Sequence, residues 1–409
     1  MKCRHCFSEV ALPFVDLGIT SPSNAYLTEK TIRLPEKRFP LRVLVCEECW
    51  LVQTEDFTDA SELFNKEYAY FSSYSDSWLT HSKQYVTSII ERFGLNDTHH
   101  VIEVAANDGY LLQYIQAHRI PCTGIEPTTN TAMAARAKGI PIIEDFFGRE
   151  LAEKLVKKNK QADLMIANNV LAHVPNINDF VSGFARLLKP QGIATFEFPH
   201  LLELVQKSQF DTIYHEHFSY LSLTTVNQIF SSNGLNIFDV EELPTHGGSL
   251  RVFAQRKDTG TQKLCFRFSK QLEQEKKMGM FSKNFYLNFQ SKIDRIKKEL
   301  MDFLLETKKQ GKVVAAYGAA AKGNTLMNYA AIKQDLISYI VDRNPAKQGK
   351  FMPGSHIPIV DEKKLRQTKP DYILILPWNL KKEVMQQLNY VRTWGALFVI
   401  AIPQIEIIP

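Results

Sequence analysis

The 409-residue sequence holds no apolar run of the ~18 residues that a membrane-spanning helix needs. It carries little excess charge. Lys and Arg number 49 against 44 Asp and Glu, a net of +5. That argues against a nucleic-acid protein held by phosphate contacts, and fits modest attraction to a small anion. Lipidation signals, repeats and low-complexity tracts are absent. Met1-Lys2-Cys3 opens without an apolar stretch after it, so no secretory signal and a cytoplasmic, monomeric protein without nucleic-acid or membrane partners are expected. Cysteine is scarce: Cys3, Cys6, Cys46, Cys49, Cys122 and Cys265 are the six. Four fall in two Cys-x-x-Cys pairs, which in a reducing compartment read as metal ligands before disulfides.

What is present divides into four parts. Residues 1–60 carry the knuckles Cys3-Arg4-His5-Cys6 and Cys46-Glu47-Glu48-Cys49. Four thiolates suit one tetrahedral Zn²⁺ in a closed, structural site, and a segment this short needs such a staple. Residues 61–260 begin with close-set aromatics, Tyr68, Tyr70, Phe71 and Tyr74, readable either as a hinge or as a wall over a ligand. A helix from Trp78 to Phe93 then ends at Gly94.

A doubly wound pattern follows. Val101–Ala106 reads as a strand, Asn107-Asp108-Gly109 as a tight turn, and Leu111–Ala117 as a helix start. The next strand ends at Glu126, about 20 residues on. Strand, turn, helix, strand and acid is the layout that binds adenosine, with the acid on the ribose. No Gly-x-Gly-x-x-Gly is present to hold a pyrophosphate, so a methyl donor such as S-adenosylmethionine suits the turn better than a dinucleotide. Asp145 and Phe146, at a third strand end, suit an adenine amine and ring. Strands near Ala162–Val170 and Gly192–Phe198 precede two more, joined through Thr245-His246-Gly247-Gly248-Ser249 and expected to pair antiparallel.

Residues 261–310 are Lys/Glu-rich with apolar residues at helical spacing, a helical connector. Residues 311–409 form a second α/β unit. Val313–Tyr317 runs into Gly318-Ala319-Ala320-Ala321-Lys322-Gly323-Asn324-Thr325, small residues and a lysine opening a helix, which makes an anion cradle. Asp342 ends the next strand, and Trp378-Asn379 follow another.

The densest store of proton-moving groups is Asp211-Thr212-Ile213-Tyr214-His215-Glu216-His217-Phe218-Ser219-Tyr220. A structural pair of histidines and a metal fragment are the alternatives to acid–base chemistry there. A histidine suits a base near neutral pH. His215 and His217 both remain open as that base. A phenol ordinarily titrates near pH 10, which ranks Tyr214 behind them.

Taken in order, these motifs resemble the nucleotide-sugar C-methyltransferases, of the ketosugar C-3 type, over nearly the whole chain. The elements are the two knuckles, Glu103-Val104-Ala105-Ala106-Asn107-Asp108-Gly109, Ala167-Asn168-Asn169-Val170-Leu171-Ala172-His173-Val174, Tyr214-His215-Glu216-His217, His246-Gly247-Gly248-Ser249-Leu250-Arg251 and Tyr317–Thr325. The resemblance implies a small N-terminal zinc module, a central seven-stranded class I methyltransferase domain and a C-terminal Rossmann-like domain. One departure stands out: Ala105 and Asn107 occupy positions where class I enzymes typically carry glycine. The resemblance further implies S-adenosylmethionine and Zn²⁺ as cofactors and a nucleoside-diphosphate 4-ketosugar as substrate. Tyr214, Glu216 and His217 would form the catalytic segment, His217 the base with Glu216 orienting it. Tyr70, Glu103, Ala105, Asn107, Gly109, Glu126, Pro127, Asp145, Phe146, Asn169 and His173 would surround the methyl donor. Tyr68, His246, Gly247, Ser249, Arg251, Lys322, Asn324, Thr325, Asp342, Trp378 and Asn379 would face the nucleotide-sugar, with Lys322 and Arg251 offsetting the diphosphate charge. A methyltransferase of RNA or protein, or a non-catalytic zinc scaffold, are the competing readings.

Overall fold

Alternating apolar residues in β1 (Leu12–Thr20), β2 (Phe39–Val45) and β3 (Val52–Thr54) build a small antiparallel sheet over the cysteine knuckles. The computed structural model describes residues 1–57 and 71–409. Tyr68 and Tyr70, and the expected boundary at residue 60, lie outside the described residues. The fourth strand of this sheet, β9 (Ser219–Tyr220), comes from far along the chain, directly after His217. Val52 pairs with Tyr220 and Gln53 with Ser219.

The sulfurs of Cys3, Cys6, Cys46 and Cys49 lie within 4.8 Å of one another. A Zn–S bond of about 2.3 Å sets tetrahedral sulfurs about 3.8 Å apart. Cys3–Cys49 and Cys6–Cys46, each 3.5 Å apart, fit that spacing. Each knuckle closes with the same turn. Phe7 donates its N–H to the Cys3 carbonyl and Trp50 its own to Cys46. Phe7 and Trp50 both sit at left-handed φ, 64° and 60°. That conformation costs a non-glycine residue about 1–2 kcal/mol, so a bound ion would offset local strain.

The central sheet runs β10-β11-β8-β7-β4-β5-β6. Its strands are β4 (Val101–Val104), β5 (Cys122–Ile125), β6 (Ile142–Ile143), β7 (Ala162–Asn168), β8 (Leu188–Pro199), β10 (Leu235–Leu243) and β11 (Ser249–Arg256). The four neighbouring pairs along β8-β7-β4-β5-β6 are parallel, while β11 pairs antiparallel with both β8 and β10. This is the seven-stranded class I methyltransferase topology. Helices cover both faces, as continuous apolar strands require. The first of them, Asp76–Phe93, is capped by Ser75 and ends at Gly94 with φ 62°, as its spacing predicts.

The three glycine positions of the first turn explain the departure noted above. Ala105, Asn107 and Gly109 have φ of 59°, 48° and 74°. Asn107 adds what glycine cannot: its side-chain oxygen accepts the Ser72 N–H at 2.9 Å. A Cβ on Gly109 would lie 2.3 Å from Ile140 Cδ1, so there glycine is required.

The connector is three helices, Phe266–Lys277, Lys283–Leu287 and Phe289–Lys309. The last sheet runs β14-β13-β12-β15-β16-β17. It comprises β12 (Val314–Tyr317), β13 (Ile340–Val341), β14 (Ile359–Val360), β15 (Tyr372–Ile375), β16 (Leu397–Ile400) and β17 (Glu406–Ile408). All pairs are parallel except β16–β17. No helix among the described residues is long and apolar enough to cross a membrane.

Metal analysis of freshly purified protein should give one zinc per chain. Cys46→Ser should remove it and raise amide exchange across residues 1–57, because the strained knuckle turns lose their tie. Intact zinc stoichiometry in that variant would contradict the four-thiolate site.

Candidate active site

The turn after β4 and the ends of β5 and β7 open onto a cavity of about 550 Å³. Ala105, Asn107, Glu126, Pro127, Asp145, Phe146, Asn169 and His173 line it, as expected. Glu126 is buried and accepts the N–H groups of Asn107 at 2.9 Å and Thr128 at 3.0 Å. The Thr128 hydroxyl donates to it as well, so of a carboxylate's about four acceptor sites one remains for a ribose hydroxyl. Asn168, and Oδ1 of Asn169, are buried on this wall without protein partners among the described residues. Such polar atoms await a ligand. Glu126 and Asp145 give the wall negative charge, complementary to a sulfonium and an amine. The residues present therefore fit S-adenosylmethionine.

Two expected lining residues stand elsewhere. Glu103 is wholly buried within β4, and burial pushes its carboxyl well up. Gly109 serves the turn rather than the wall. Trp78, Ser72, Thr128 and Asp179 also line the cavity. Sequence spacing places Trp78 only on an amphipathic helix face, with nothing to mark it as a ligand wall.

His173 joins this cavity to the segment 211–220. Its ring centroid lies 4.6 Å from that of His217, and its Nδ1 donates to the Glu216 carbonyl at 2.8 Å. Burial lowers it to about 4, so it is neutral. His217 is buried as well. Its Nδ1 donates to the Thr212 carbonyl at 2.8 Å, which leaves the lone pair on Nε2. Burial first, then His173, hold His217 well below its ordinary pKa. The Tyr214 ring lies 4.0 Å from it, centroid to centroid.

Its neighbours turn elsewhere. His215 donates from Nε2 to the Pro40 carbonyl at 3.2 Å and packs on Phe39, toward the zinc module. Glu216 does not orient His217: its carboxylate accepts Asn24 Nδ2 at 2.8 Å, and the orienting acceptor is the Thr212 carbonyl. Burial raises Glu216 to about 7. Asn24, from the loop after β1, carries no sequence signal for this role, since the contact spans most of two domains.

The helix Ala321–Tyr329 of the C-terminal domain docks on the same segment. Thr325 Oγ1 donates to the Ile213 carbonyl at 2.8 Å. Trp378 Nε1 donates to Asp211 Oδ2 at 2.7 Å, and Lys322 Nζ lies 4.6 Å over the Trp378 ring and bonds Asn379 Oδ1 at 2.9 Å. His246, at φ 53°, accepts Asn169 Nδ2 at 3.1 Å and packs on Trp78, so it belongs beside the methyl-donor cavity. Gly247 is where Trp378 approaches: a Cβ there would lie 2.4 Å from the indole. Asn324 is wholly buried.

Three expected substrate residues are otherwise engaged. Arg251 is buried, with its guanidinium on Glu197 at 2.6 Å and over the Tyr85 ring. It balances a core carboxylate rather than a diphosphate. Ser249 Oγ donates to the Thr245 carbonyl at 2.9 Å. Asp342 closes its own turn, accepting Ala319 N–H and Asn344 N–H at 2.8 Å each. Tyr26, whose hydroxyl donates to the Ala319 carbonyl at 2.6 Å, and Lys347, at 2.9 Å from the same oxygen, pack beside it.

A seven-stranded sheet of this order, with a nucleoside-sized cavity at its carboxyl edge, defines a class I, S-adenosylmethionine-dependent methyltransferase. Family models described as a zinc binding domain, a methyltransferase domain and a C-methyltransferase C-terminal domain match residues 3–64, 78–240 and 244–403. The chain is 32% identical over 407 residues to the C-methyltransferase NovU of Streptomyces niveus, covering 100% of this chain and 96% of that protein. The chain belongs to this C-methyltransferase family, with S-adenosylmethionine and zinc as its cofactors. Among solved structures it is similar to the PH0226 protein of Pyrococcus horikoshii, at 16% identity and TM-score 0.39 over 49% of this chain and 100% of that one. It is also similar to the Synechocystis magnesium protoporphyrin IX methyltransferase, at 14% identity and TM-score 0.36 over 50% of this chain and 100% of that one.

Glu126→Ala should weaken S-adenosylmethionine binding by on the order of 1.5–3 kcal/mol, the worth of a charge-assisted hydrogen bond. Calorimetry checks this, and unchanged affinity would assign the ribose to another group.

Proposed function

We propose that this C-methyltransferase acts on carbon 3 of a nucleoside-diphosphate 4-ketosugar, with His217 as the base that forms the enolate. The observation that carries the reading is the placement of His217: its Nδ1 is fixed by the Thr212 carbonyl, its pKa is held down by burial, and its ring packs on His173, which lines the methyl-donor cavity. The sugar and the carbon position come from the motif resemblance, and the histidine geometry is consistent with both.

The proton on the carbon beside the ketone moves to Nε2 of His217. The electron pair it leaves spreads onto the ketone oxygen as an enolate. Bound S-adenosylmethionine supplies an electrophilic methyl on sulfur, so the group transferred arrives with its own leaving group. His173, kept neutral by burial, adds no positive charge that would repel the sulfonium. Tyr214, packed on His217, would donate a hydrogen bond to the enolate oxygen, a role that suits a phenol better than that of base. The buried surroundings of the segment exclude water, which strengthens these interactions.

Incubation with a panel of nucleotide 4-ketosugars and S-adenosylmethionine should give one product heavier by a single methylene. His217→Ala should retain S-adenosylmethionine binding yet slow methyl transfer by roughly 10²–10⁴-fold, the scale of a lost general base. A panel without any mass gain would overturn the substrate assignment, and a His217→Ala variant at parent rate would overturn the base.

A further inference from the structure

We propose that Lys322, from the C-terminal domain, is the cation that stabilises the enolate oxygen at the methyl-transfer centre, and does not serve the diphosphate. This rests on the enolate chemistry proposed above. The motif alone suggested an anion cradle within the C-terminal domain. The structure turns its lysine the other way.

Three contacts set that direction. The helix Ala321–Tyr329 is nailed to the catalytic segment by the Thr325 hydroxyl on the Ile213 carbonyl, one residue before Tyr214. Lys322 lies one helical turn earlier than Thr325, on the same helix face. Its ammonium rests over the Trp378 ring, and that indole is tied to Asp211, at the start of the same segment. Lysine, indole and carboxylate thus form one arm leading from the C-terminal domain into the methyltransferase site.

The ammonium is under-satisfied where it sits. It has three N–H donors; one hydrogen bond is recorded, to Asn379. Asp211 keeps its second oxygen buried without a partner. Lys322 is half-buried, and partial removal of an ammonium from water is unfavourable unless an anion offsets it. A full ion pair would do so, but Asp211 is bonded to Trp378 instead. An anion that forms only during the reaction would repay it at the step where stabilisation counts.

The electrostatics agree. Burial lowers Lys322, and Asp211 opposes that fall. Burial first, then Lys322, lower His246, and at His217 Lys322 adds to the larger effects of burial and His173. Meanwhile the turn after β12 is engaged by other residues: Asp342 accepts the Ala319 N–H, and Tyr26 and Lys347 both donate to the Ala319 carbonyl.

The test separates electrostatic catalysis from binding. Lys322→Met keeps the length and removes the charge; removal of a buried charge for an apolar isostere is tolerated by folding. With a ketosugar that the parent methylates, kcat should fall by about 100-fold or more, while KM for the nucleotide-sugar and affinity for the free nucleoside diphosphate stay within about threefold. Lys322→Arg, which keeps the charge, should recover kcat to within about tenfold of the parent. A Lys322→Met variant that loses nucleotide affinity and keeps kcat makes Lys322 a diphosphate ligand and overturns the proposal. An Arg variant as slow as the Met variant also overturns it, since charge would not be the operative feature. If the parent turns over no ketosugar, the substrate reading fails first, and that failure is visible before any variant is made.

Discussion

The pairing of β3 with β9 is the contact on which the site depends. It makes two residues just past His217 the outer strand of the zinc module's sheet. Thr54 extends the join, donating its N–H to the Phe218 carbonyl and its hydroxyl to that of His217. From the methyltransferase side, Phe218 donates to the Ala172 carbonyl and His173 to that of Glu216. From the C-terminal side, Thr325 holds Ile213. Residues 211–218 carry little regular structure, so their polar backbone groups must be satisfied from outside. Three separate parts of the fold do this: a strand of the zinc module, the turn after β7 and a helix of the C-terminal domain. None can shift without releasing part of the segment, and this is how an irregular strip is held in one geometry.

That arrangement also explains the charge state of the centre. A strip covered from three sides is dry, and dryness favours neutral forms. His173, His217 and His246 are all lowered, Glu216 is raised to about 7, and Asp211 to about 6. Neutral histidines beside a poised carboxyl suit proton movement without a standing field that repels a sulfonium. Lys322 is the exception, and its charge enters from the C-terminal domain. Four thiolates would leave zinc no open position for chemistry. Its knuckles hold β2 and β3, and through β9 they hold the strip.

Much of this was legible in the sequence where one local rule suffices. The knuckles declare themselves by spacing, and the turn after β4 by a strand, a turn and an acid at fixed distances. Ala105 and Asn107 obscured the glycine pattern because left-handed φ, not glycine itself, is what the turn demands, and Asn107 fills that demand while binding Ser72. The misreadings share one cause. Arg251, Asp342 and Glu216 were each read by the chemistry of their own segment, and each spends it on a partner the segment does not show: Glu197, the Ala319 turn and Asn24. Long-range partners are not written in local spacing. Asn24 and Thr325 were missed as supports for the same reason, since a loop asparagine and a helix threonine are ordinary until the fold brings the strip beside them.

The central claim is that His217 removes the proton beside the ketone. Solvent-deuterium incorporation at carbon 3, followed with the methyl donor absent, reads that step alone. The parent protein should exchange the proton, His215→Ala should do so at a comparable rate, because His215 faces Phe39 and Pro40, and His217→Ala should be nearly silent. Exchange by His217→Ala at the parent rate, or its loss in His215→Ala alone, would contradict the account.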